Sequence, residues 1–234
     1  MNKVCPNCRQ DIGKEIKRKM NCPHCERLIF VRNGKAVTER EMEIFDWSRY
    51  MDFLVPDIEA VRKEIEQELT RRFGQAPSAH DLIWGMFNHV VMRLKKFNDL
   101  DIIYTNMATF LESEGKHEHA KQMKQQAFKM QIADFKDSRF FDKVKIKNHE
   151  DDFVCEFCRK AAKVKAVPLA DAYNNPPLPV HECQNKQCRC RLDFISSSDS
   201  EYQKNPSSKD FTITVKIKQP KKKGLFGQFI DLLK

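Results

Sequence analysis

Between residues 38 and 147 apolar side chains recur at steps of three and four, whereas on either side of that span they alternate or thin out. The first pattern belongs to helices with one buried face, the second to short strands. Thr38-x-x-Glu41 has the form of a capping box and leads into EMEIFDWSRYMDFL. Pro56 suits the first turn of a second helix, PDIEAVRKEIEQELTRRF, where Ile58, Val61, Ile65 and Leu69 make one stripe and which Gly74 can end. Ser78-x-x-Asp81 is a second capping box. It opens a third helix whose apolar residues (Leu82, Ile83, Trp84, Met86, Phe87, Val90, Val91, Leu94) lie all round it. That predicts the central helix of a bundle, with Trp84, Phe87 and Phe97 in the core. Two more helices are expected over residues 100–114 and 116–137.

The flanks read differently. LIFVRNGKAV places apolar residues around Asn33-Gly34, the signal of a two-residue hairpin turn. Val144 and Ile146 mark one face of a strand, and Phe211, Ile213, Val215 and Ile217 mark another in FTITVKIK, expected to pair with the second cysteine-rich region. Between them SSSDSEYQKNPSSK reads as a linker. The last residues, GLFGQFIDLLK, follow Lys221, Lys222 and Lys223 and form a short amphipathic helix. The fold class is therefore α+β. Four regions are expected: residues 1–37, a helical bundle over 38–147, a second cysteine-rich module with linker and strand over 148–218, and a basic amphipathic tail over 219–234.

The chemistry lies in nine cysteines that fall into two groups, with none between Cys25 and Cys155. The first group is Cys5-x2-Cys8-x13-Cys22-x2-Cys25. Each CxxC turns two thiolates toward one ion, and two such pairs complete the tetrahedron that Zn²⁺ prefers. Knuckle, short strand, knuckle and hairpin come in the order of a zinc ribbon, which residues 1–37 resemble throughout. With cysteine at all four positions no coordination site stays open, so the metal is expected to be structural. His24, between two better ligands, reads as a bystander.

The second group is Cys155-x2-Cys158, a spacer of 24 residues, then Cys183-x4-Cys188-x-Cys190. The spacer, with Asn174-Asn175-Pro176-Pro177 and Pro179, reads as a turn-rich loop. A second Zn²⁺ is expected on Cys155, Cys158 and Cys183. Cys188 and Cys190 compete for the fourth place, with His181 a weaker candidate. The residues Cys155, Cys158, Pro176, Pro177, Leu178, His181, Cys183, Cys188, Arg189 and Cys190 resemble the C-terminal motif of phage Mu F-like head morphogenesis proteins. Here that motif is spaced out by Glu182 and by an inserted QNKQ. This resemblance implies a role in particle assembly. The whole arrangement is similar to uncharacterised bacterial and mobile-element zinc-ribbon proteins. The stretch with Ala108, Gly115, Ala120 and Ala127 resembles one tetratricopeptide hairpin, with Lys124 at a usually apolar place and no second copy at the 34-residue repeat.

Charge refines the picture. Residues 1–40 carry ten Lys/Arg against four Asp/Glu and residues 155–234 carry 15 against eight, while residues 41–154 carry 17 against 21. Both cysteine-bearing ends are basic, so they suit nucleic acid phosphates or an acidic protein partner. The tail suits a partner's groove more than a membrane surface. No signal-peptide pattern and no run of 18 apolar residues is present, so a cytoplasmic, reducing setting is expected, where cysteines bind metal rather than pair. Catalytic signatures fail on order: His181-Glu182 follows its CxxC, unlike a zinc deaminase, and lacks the second histidine of H-E-x-x-H. His80, His89, His117 and His119 form no set, and the last two are expected to be exposed. The expectation is a non-enzymatic, zinc-stabilised binding or adaptor protein. Particle assembly and a metal-dependent enzyme using the second cysteine group are the alternatives.

Overall fold

The computed structural model describes residues 3–13, 18–149, 151, 154–179, 183 and 188–196. The expected strand over 211–217, most of the linker, the tail over 219–234 and His181 lie outside the described residues. Within them the chain is α+β: seven α-helices and two three-stranded antiparallel sheets.

The first sheet is β1 (Lys19–Asn21), β2 (Leu28–Arg32) and β3 (Lys35–Val37). β2 is its middle strand. Asn33 and Gly34 both have positive φ (47° and 72°), which is what a type I′ turn requires.

The capping box at α1 (Glu39–Ser48) is reciprocal: Thr38 Oγ1 accepts from the Glu41 N–H, and Glu41 Oε2 accepts from the Thr38 N–H at 2.7 Å. At α2 (Ile58–Phe73) the cap is Asp57, whose Oδ1 accepts from the Ala60 N–H. Pro56 is thus outside the first turn; it holds Val55 in extended backbone instead. Gly74 ends α2 at φ 71°, as its position suggested. At α3 (Ala79–Arg93) Ser78 Oγ accepts from the Asp81 N–H. The shorter Asp81 carboxylate takes the Ser78 hydroxyl at 2.6 Å, where Glu41 reaches the cap backbone.

α3 is central. Leu82, Ile83, Met86, Phe87 and Val90 are all fully buried, packed against Ile44 of α1, Val61 and Ile65 of α2, and Ile103, Met107 and Phe110 of α4 (Phe97–Ser113). Each such side chain contributes about 1.5–3 kcal/mol by leaving water. Gly85 is the point of closest approach: a Cβ there would lie 2.7 Å from Ile65 Cγ2. α4 starts three residues before its expected position, behind Lys96, which makes no side-chain cap. Phe97, expected in the core, is 44% exposed because it sits at that first helical position. Trp84 is half-buried against Phe110.

α4 folds back on α5 (His117–Phe135) through Gly115 at φ 75°. Ala108 and Ala120 are buried at the contact, and Lys124 is anchored there by Glu112 at 2.5 Å. His117 and His119 are exposed. His80 is not isolated: Nδ1 lies 2.7 Å from Glu114 Oε2, Nε2 lies 3.2 Å from Lys116 Nζ, and the ring stacks on Phe110. These contacts tie the α4–α5 turn to the start of α3.

The second sheet has β4 (Lys143–Lys147) between β5 (Val167–Pro168) and β6 (Arg191–Ile195). β6 was not legible as a strand, since RLDFI is short and merges into the serine-rich stretch. The spacer between Cys158 and Cys183 is more than a turn-rich loop. It holds the end of α6 (Glu156–Ala162), β5 and α7 (Leu169–Asn174) before the prolines. Leu169 and Ala172 of α7 bury against Ile132 of α5 and Val144 of β4, and that packing selects helix there.

Candidate metal centres

The N-terminal cysteines sit on two equivalent knuckles. In the first, Cys5 N–H donates to Gln10 O and Arg9 N–H donates to Cys5 O, both at 2.9 Å. In the second, Cys22 N–H donates to Arg27 O and Glu26 N–H to Cys22 O, again at 2.9 Å. The residue after each CxxC, Arg9 or Glu26, adopts positive φ (64° and 59°). That conformation costs a non-glycine residue about 1–2 kcal/mol, and both knuckles accept it because it completes the turn around the sulfurs. His24 bridges the two: its Nε2 lies 2.9 Å from Asp11 O, so its role is a tie between knuckles.

The four sulfurs lie within 4.8 Å of one another. Cys5 and Cys25 are separated by 3.8 Å, Cys8 and Cys22 by 3.7 Å. Zn–S bonds of about 2.3 Å directed to the corners of a tetrahedron place sulfurs about 3.8 Å apart. The donor set and its dimensions therefore fit a four-thiolate ion. Cys5 and Cys22 are buried beside Ile12 and Ile29, which form a small apolar cluster of their own.

The thiols respond unequally to this crowding. Burial opposes the Cys22 thiolate, but the Cys25 and His24 backbone N–H groups and the neighbouring thiols prevail and bring its pKa down to about 7. A hydrogen bond with the Gln10 backbone favours the Cys8 thiolate, but burial and the other three thiols push Cys8 up to about 12. Four thiolates cannot share this space without a cation, and a bound cation reverses that balance.

In the C-terminal group Cys155 caps α6 and Cys158 lies in its first turn, buried. Cys183 approaches from the far side of the spacer, and Cys188 and Cys190 from the segment just before β6. Sulfur separations are 3.9 Å for Cys155–Cys183, 3.5 Å for Cys158–Cys183 and 3.8 Å for Cys158–Cys188. The cysteines form two three-sulfur groups, Cys155–Cys158–Cys183 and Cys158–Cys188–Cys190, which share Cys158. Cys188 and Cys190 both lie beside Cys158, so either is placed to supply a fourth sulfur. Residues two apart on an extended segment share a side, and both reach Cys158. Burial, reinforced by the neighbouring thiols, raises Cys158, and burial with the nearby Cys188 charge pushes Cys190 up to about 12. Asp151, which the sequence did not single out, holds Arg189 between its two carboxylate oxygens at 2.5 and 2.6 Å. This fastens the loop carrying Cys188 and Cys190.

Both cysteine groups can therefore hold a metal ion. No helix among the described residues is long and apolar enough to cross a membrane. No protein-family model, curated protein or solved structure matches the chain.

Proposed function

We propose that this chain is a non-enzymatic, zinc-stabilised binding or adaptor protein. In this reading an N-terminal zinc ribbon and a C-terminal zinc module flank a helical body, in a reducing cytoplasmic setting. The observation that carries it is the N-terminal sulfur tetrad at tetrahedral edge lengths, with every position filled by cysteine. A closed four-thiolate ion has no place for substrate or water, so it works by holding structure. The C-terminal ion takes Cys155, Cys158 and Cys183, with its fourth sulfur from Cys188 or Cys190. The basic ends supply the contact surface for nucleic acid or a protein partner. A particle-assembly role is the second reading, favoured by the Mu F-like residues Cys155, Cys158, Cys183, Cys188 and Cys190 meeting in one cluster.

Cobalt substitution tests the closed coordination. Co²⁺ loaded in place of Zn²⁺ is expected to show intense tetrahedral ligand-field and thiolate charge-transfer bands from both modules, unchanged by added azide or cyanide. Bands from the C-terminal module that shift with such a ligand would reveal an open position and favour metal-dependent catalysis there instead.

A further inference from the structure

The second sheet has one covered face and a second, basic face. Successive residues of a strand point to opposite faces. On β4, Val144 and Ile146 belong to the clusters that include Ile132 and Phe128 of α5 and Leu169 of α7. Their register partners on β6, Phe194 and Leu192, join the same clusters. Lys143, Lys145 and Lys147 therefore lie on the other face, in register with Ile195, Asp193 and Arg191. Lys147 and Arg191 stand directly opposite each other, both exposed. Like charges so placed repel across the strands, and an anion lying across them removes the repulsion. Asp193 is the one acidic side chain among these six positions.

The spacing and chemistry of this face select the anion. Alternate residues of a strand are about 6.7 Å apart, and phosphates of one duplex strand advance about 3.4 Å per nucleotide. Because the phosphates also wind around the helix axis, neighbouring ones stand farther apart than this rise, at a spacing comparable to that of the lysines, so the row runs along adjacent phosphates of the backbone. An acidic protein segment fits less well, because protein interfaces are carried by aromatic and other well-packed anchors, and among the described residues of the three strands this face offers only Ile195 and Pro168, with no aromatic ring. β6 begins at the residue after Cys190, so loading the C-terminal metal cluster holds this face in register.

We propose that the basic face of the second sheet, through Lys145, Lys147 and Arg191 with Lys143 beside them, binds the phosphodiester backbone of nucleic acid without selecting bases. This rests on the reading of the chain as a metal-stabilised binding protein. It narrows the partner to a polyphosphate and the surface to one face.

The test uses the full-length, zinc-loaded protein and three labelled probes: a short duplex DNA of arbitrary sequence, one of its single strands, and a polyglutamate peptide. Binding to a DNA probe is expected to weaken with salt, with a log–log slope of about −3 from three phosphate contacts. Lys147→Gln with Arg191→Gln is expected to bring that slope about two units closer to zero. Zinc content and circular dichroism should stay unchanged, showing that the variant is folded. Lys63→Gln with Lys95→Gln, an equal charge change on the helical body, is expected to leave the slope in place. Preference for duplex or for single strand identifies which form of the backbone the face takes, and either supports the proposal. Three results overturn it: no DNA binding at low salt by zinc-loaded protein, equal weakening by the control variant, or tighter binding of polyglutamate. A chain that takes up no zinc fails the underlying reading instead, and the zinc assay separates the two failures.

Discussion

Replacing Cys22 with serine is expected to release the N-terminal ion and unfold residues 3–37, leaving the helical body folded. Cys22 is 1% exposed and supplies one of the four sulfurs. The apolar support beside those sulfurs is small: Ile12 and Ile29, with Met20, Val31 and Ala36 around them. So few buried groups cannot offset the entropy of ordering a segment of this size. Binding of a structural zinc ion is worth about 10–16 kcal/mol in small metal-dependent modules, and that free energy is folding free energy. β2 meets α1 through Arg32, which donates to Met42 Sδ, lies over the Phe45 ring and pairs with Asp46 at 3.3 Å, an ion pair with both side chains about two-fifths exposed or more. Such a pair contributes about 0.2–1 kcal/mol after solvent screening, far too little to hold the sheet alone. Hydrogen exchange is the direct readout. Amides of β1, β2 and β3 should lose protection, while those of α3 should keep it. Retained protection across β2 and β3 would show that the hairpin stands on its own packing.

Phe110→Ala is expected to cost about 3–5 kcal/mol, at the upper end of what a single core truncation costs. Phe110 is fully buried, and its ring lies 4.9 Å from Trp47, 5.8 Å from Phe87 and 5.3 Å from the ring of His80. It thereby joins α1, α3 and α4 at one point. Domains of this kind hold about 5–15 kcal/mol in all, so the variant should be largely unfolded at modest urea concentrations. Phe110→Leu, which leaves a smaller gap, should lose less. A urea midpoint for Phe110→Ala close to that of the unaltered protein would mean that the four rings do not form the keystone of the body.

The helical body was legible because its start and stop signals are local. Thr38, Ser78 and Gly74 act through their own hydrogen bonds and backbone angles, so three and four residues of sequence suffice to see them. The α4 start was missed where that information is lacking, at Lys96, which makes no side-chain cap. The C-terminal module was harder to read because its elements depend on distant partners. β6 is a strand because β4 pairs with it, and α7 is a helix because Leu169 and Ala172 find Ile132 and Val144. Among candidate ligands the N-terminal set could be read from spacing, since each CxxC is a self-contained knuckle with the same pair of backbone hydrogen bonds. The central position of Cys158 among five sulfurs could not, because it depends on how two segments far apart in sequence return to α6. The positive φ of Arg9 and Glu26 also left no trace, since neither site carries the glycine that would announce it.

Native mass spectrometry of the full chain, before and after chelation, should find two zinc ions per chain, bound in the cysteine groups around Cys22 and Cys158. Their removal by a chelator should be followed by a broadened, higher charge-state distribution as both modules unfold. A metal-free chain that keeps its compact charge states would contradict metal-dependent folding of the two modules.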